Sequence, residues 1–64
     1  GVGLYDVERA VRRAALLARL DGAAIPVVAG KWINHDAAHM AQHSRVWQLT
    51  EGRVIAPPAE TGSG

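Results

Sequence analysis

Three histidines recur every four residues in the run His35-Asp36-Ala37-Ala38-His39-Met40-Ala41-Gln42-His43, and no other stretch of the chain is better suited to chemistry. On a helix they make one stripe that drifts by about 40° per step. Two histidines four residues apart can chelate a zinc or nickel ion. The third lies a further turn along, Asp36 points away from the stripe, and the chain has no cysteine to complete a site. A zinc-protease helix needs glutamate directly after its first histidine, and here that position holds Asp36. The plainer reading is a solvated polar face, with a shared pH response of the three rings as its alternative. No metal and no cofactor is expected.

The second set of candidates is basic. Residues 7–20 hold Arg9, Arg12, Arg13 and Arg19 against the single acid Glu8. Such a row is commonly an ordinary solvated helix face; its functional readings are contact with phosphates or docking to an acidic protein surface. The whole chain carries a net charge of only +1. Its isoelectric point of about 8.6 falls below the value above about 9 typical of strong nucleic-acid binders. Catalytic inventory is absent. The six acids (Asp6, Glu8, Asp21, Asp36, Glu51 and Glu60) are scattered, there is no Gly-rich phosphate loop, and no Ser–His–Asp order rises above chance. The chain is not expected to be an enzyme.

These side chains must be positioned by few elements, since 64 residues make one domain that buries only roughly 60% of its unfolded surface. Of its apolar residues 12 are alanine, leaving 19 larger ones for a core, so self-association or a partner is a natural source of extra burial. Val7, Ala10, Val11, Ala14, Leu17 and Ala18 recur at helical spacing, which predicts a helix over 7–20. Asp6 is its expected N-cap and Gly22 its left-handed stop; Leu16 and Leu20 widen the apolar stripe. Residues 25–33 are apolar and β-branched, and Pro26 limits any strand there to a short or edge one, turning at Gly30. Asn34 can cap a second helix that starts at His35. It runs on to Glu51 and ends at Gly52, or it breaks near Gln42–Ser44 into two short helices. Pro57-Pro58 forces extended chain, and 59–64 reads as a flexible tail. Trp32 and Trp47, two of only three aromatics, read as packing anchors, or as an interface hot spot if one is exposed.

The block from Ser44 to Pro58, Ser-Arg-Val-Trp-Gln-Leu-Thr-Glu-Gly-Arg-Val-Ile-Ala-Pro-Pro, resembles the recognition helix and wing of the excisionase/MerR-like winged helix-turn-helix family. Upstream, Trp32-Ile33-Asn34 followed by Asp36-Ala37-Ala38 is similar to the start of that family's first helix. The likeness spans residues 32–58, and the Arg-rich helix before it has no counterpart. It implies a recognition helix over Ser44–Leu49, with Gly52-Arg53-Val54 turning into the wing. Arg45 and Gln48 would face base edges, where Arg matches guanine and Gln matches adenine. Ser44 would lie beside them, and Arg53, Arg12 and Arg13 would hold phosphates.

The sequence thus predicts a mostly α domain over 1–58. It has a long basic amphipathic helix, a short extended segment and a second helix or helix pair, with a winged helix-turn-helix as its specific form. The expected function is a small DNA-binding protein, an excision or transcription factor acting on double-stranded DNA. The rival is a small assembly subunit that self-associates or docks on a larger protein complex. No run approaches the roughly 20 apolar residues of a membrane span, and a cytoplasmic location is the default. DNA binding requires the basic residues to share one side of the fold, whereas assembly requires an exposed apolar patch.

Overall fold

In a computed structural model, which describes residues 1–59, the chain folds into two helices and a three-stranded mixed sheet. Helix α1 spans Leu4–Asp21, strand β1 Val27–Ala29, helix α2 His35–His43, strand β2 Trp47–Thr50 and strand β3 Arg53–Ile55. The sheet order is β1-β2-β3. β1 and β2 run parallel with Val28 opposite Gln48; β2 and β3 run antiparallel with Leu49 opposite Val54. The β1-α2-β2 unit is therefore a parallel pair joined by a helical crossover. The expected mostly α fold is corrected to an α/β one, and the tail expected over 59–64 lies, beyond Ala59, outside the described residues.

The expected helix over 7–20 lies inside α1. The cap is Gly3 rather than Asp6, and Asp6 serves from the third helical position, where its carboxylate accepts from the Gly3 amide at 2.9 Å. Gly22 closes the helix with φ 91°, its N–H donating to Ala18 O at 2.8 Å. Asn34 caps α2 as anticipated, its Oδ1 accepting from Ala37 N at 2.8 Å. The correction to the fold falls after His43. Ser44 donates its N–H to Met40 O, and Arg45 takes a left-handed φ of 58°. That conformation ends a helix. Beyond it, Val46 and Gln48 turn inward while Trp47 and Leu49 turn outward. This period-2 pattern in a β-branched and aromatic run suits a strand. Gly52, at φ 74°, supplies the positive dihedral at the β2–β3 turn.

The core is small. Val2, Val7, Val28, Ala37, Ala41 and Val46 are buried, with Ala10, Ile33 and Met40 packed against them. It lies between the helices and one face of the sheet. α1 packs on α2 and β1, and α2 packs on β2; among the described residues, neither helix packs on β3. The N-terminal segment is held to the stretch between β1 and α2 by an isolated parallel bridge of Val2 with Ile33, with Val2 N donating to Trp32 O and Asn34 N to Val2 O.

Candidate docking surface

Among the described residues, the helices cover one face of the sheet. Val28 and Gln48 face the helices and are buried. The register puts their neighbours Val27, Ala29, Trp47, Leu49 and Val54 on the opposite face, since side chains alternate along a strand. Val27, Leu49 and Val54 are exposed and Trp47 is half-buried. The five side chains form one apolar row across all three strands and include no charge. Parallel strands are rarely left open on a face, and contiguous apolar surface of this kind marks interaction sites.

A second apolar area lies along α1. Leu16 and Leu17 are exposed, and Leu20 is 81% exposed, because α2, at 9 residues, is half as long as α1. Leu17 joins Ala10, Ala14, Ile25 and β1 in lining a groove of about 440 Å³, with Arg9 and Arg13 also among its walls. The apolar stripe of α1 is therefore buried only near its start. Val7 is inaccessible, while Val11 and Leu17 lie open.

The residues assigned to DNA are dispersed. The recognition helix expected over Ser44–Leu49 is replaced by a helix end and a strand. Ser44 caps α2 and its hydroxyl donates to the Met40 sulfur at 3.4 Å. Arg45 donates from Nη1 to Pro58 O at 3.0 Å. Gln48, only 2% exposed, faces the helices from the middle of β2. Arg53 begins β3 and is exposed. Arg12 is exposed on α1, its guanidinium 6.0 Å from the centre of the Tyr5 ring, a cation–π distance; Arg13 lies one residue on. Arg12 and Arg13 thus belong to α1, which packs on neither β2 nor β3, whereas Arg45 follows α2 and Arg53 begins β3.

The histidines do not form a centre either. His39 and His43 stack edge to face with ring centroids 4.5 Å apart, beside a shallow hollow lined by Leu4, Asp36 and Met40. Among the described residues no three His, Cys, Asp or Glu side chains are placed to hold a metal ion. Trp32 is 60% exposed, with Gly1 against its indole: any Cβ at Gly1 would overlap the ring. Among the described residues, no helix is long and apolar enough to cross a membrane.

Helical periodicity carried through residues 44–51 hides the open sheet face. The signal that exposes it is the β-branched and aromatic pair Val46-Trp47, followed by Glu51-Gly52 and the β-branched pair Val54-Ile55. Comparison with family models, curated proteins and solved structures found no match to this chain.

Proposed function

We propose that this chain is an assembly module that associates with a second copy of itself through the open face of its sheet. The observation that carries this reading is the uncharged row Val27, Ala29, Trp47, Leu49 and Val54 on the helix-free face. A two-fold interface sets each surface against its own copy, so a charged row would repel itself, whereas this one has no charge to oppose. Stacking two such faces also adds the burial that a core of four valines and two alanines lacks.

Binding to double-stranded DNA is the second reading. The arginines exposed on α1 (Arg9, Arg12, Arg13 and Arg19) favour sequence-independent phosphate contact, while buried Gln48 offers no support for base readout. Light scattering over a range of protein concentrations, with and without a random-sequence duplex at two salt concentrations, separates the two. Assembly gives a mass that doubles with concentration and ignores the duplex. A single-chain mass at every concentration overturns it, and retardation of the duplex in low salt puts the DNA reading in its place.

A further inference from the structure

We propose that His39, Met40 and His43 form a binding site for a soft monovalent cation, copper(I), in the hollow between α2 and the start of α1. The site belongs to the helix layer and uses nothing of the sheet's open face, so the inference goes beyond self-association and does not depend on it.

Three observations converge on this site. The first is placement. Asp36, His39, Met40 and His43 stand at positions i, i+3, i+4 and i+7 of α2, the spacing that shares one helix face. With Leu4 of α1 they line one hollow, and His35 is not among its walls. The His39 and His43 ring centres are 4.5 Å apart. An imidazole that binds an ion through one nitrogen at about 2 Å has its ring centre about 3 Å from that ion. Two rings at the observed separation can therefore hold one ion between them.

The second is donor chemistry. Among the described residues no three His, Cys, Asp or Glu side chains are grouped for a metal, and these are the side chains that zinc takes. The third donor in the hollow is instead the sulfur of Met40. A thioether joined to imidazoles is a set that suits copper(I). Competing soft donors are absent elsewhere, since the chain has no cysteine and Met40 is its one methionine.

The third is orientation and charge. Ser44 Oγ donates to Met40 Sδ at 3.4 Å, which draws the sulfur toward the last turn of α2, the turn that carries His43. A thioether sulfur has two lone pairs, so one stays open to an ion. The three rotatable bonds of methionine let that sulfur adjust to the two rings. Asp36 lines the hollow and no Lys or Arg does, so the local charge favours a cation.

The test uses the intact chain with silver(I), a redox-inert probe for copper(I), in chloride-free buffer, and zinc(II) as the contrast. Calorimetry should give one silver ion per chain. Met40→Leu nearly conserves volume, so it should keep the circular dichroism of the parent. It should bind silver at least tenfold more weakly and leave zinc binding by the two histidines unchanged. His39→Ala/His43→Ala should abolish silver binding, and His35→Ala should leave it within about twofold. Because Met40 is the one methionine, its methyl group gives a single proton resonance. That resonance should move on addition of silver together with the ring protons of His39 and His43, while those of His35 stay in place. Copper(I), kept reduced under anaerobic conditions and titrated against a chromogenic chelator, should bind once per chain and be weakened by Met40→Leu. A stationary methyl resonance at saturating silver, or an equal loss of silver and zinc in Met40→Leu, overturns the thioether ligand and with it the copper(I) site. Equal weakening by His35→Ala overturns the placement in the hollow, and absence of saturable silver binding overturns the site altogether.

Discussion

Val54→Lys is the sharpest perturbation of the open sheet face. Val54 sits on edge strand β3 and is 68% exposed. Full burial of a valine is worth about 1.5–2 kcal/mol, so the exposed part has about 1.0–1.4 kcal/mol still to gain. A two-fold interface counts the residue twice, giving about 2–2.7 kcal/mol per dimer. At 1.4 kcal/mol per decade, the substitution should weaken the dimer on the order of 30- to 100-fold. The isolated chain loses only the third already buried, roughly 0.5 kcal/mol, or a few degrees of Tm. Lysine is moreover at home on an edge strand. Sedimentation equilibrium gives the dimer Kd, and thermal melting of a dilute sample gives the monomer cost. Leu20→Lys is the control: it removes a more exposed side chain, at 81%, from α1, which does not touch the sheet's open face. Equal weakening by both variants, or an unchanged dimer in Val54→Lys, would refute the assignment of the interface to the sheet.

Three further outcomes test the framework that holds this face. Gly22→Ala forces an L side chain into φ 91° with no neighbouring atom within 4 Å, so the cost is conformational, about 1 kcal/mol, seen as a Tm lowered by several degrees. Asn34→Ala removes the bond to Ala37 N at 2.8 Å and should cost about 1 kcal/mol, measured by urea denaturation. Ala14→Pro should cost about 3 kcal/mol or more by breaking α1 at mid-length. Far-ultraviolet circular dichroism and a Tm equal to the parent's in that variant would contradict the helix.

How much of this was legible depended on whether a local signal decided the structure. α1 was readable because its apolar spacing lies within the helix and the Gly22 stop directly follows it. The Asn34 cap was readable for the same reason, as one side chain reaching three residues ahead. Ser44–Thr50 was not. Its first half continues a helical pattern from His35, and only the left-handed Arg45 switches the period from 3.6 to 2. Arginine is not a residue whose type announces that conformation. The strand is then fixed by non-local pairing, with Val28 on one side and Ile55 on the other. Propensity is overridden by such pairing more readily in strands than in helices.

The same switch governs the functional reading. Wound as a helix, the segment would carry Arg45 and Gln48 to one exposed side, and the arginines and glutamine would suit base edges. As a strand, it puts Gln48 into the core and brings Trp47 and Leu49 out beside Val27, Ala29 and Val54. The polar surface expected from a helix is thus exchanged for an apolar sheet face, with no change of composition. The low net charge of +1 fits that exchange, since a face meant for a duplex needs a dense positive field, whereas a face meant for a second copy must avoid one. The arginines of α1 remain outside it, on a helix that packs on β1 but on neither β2 nor β3.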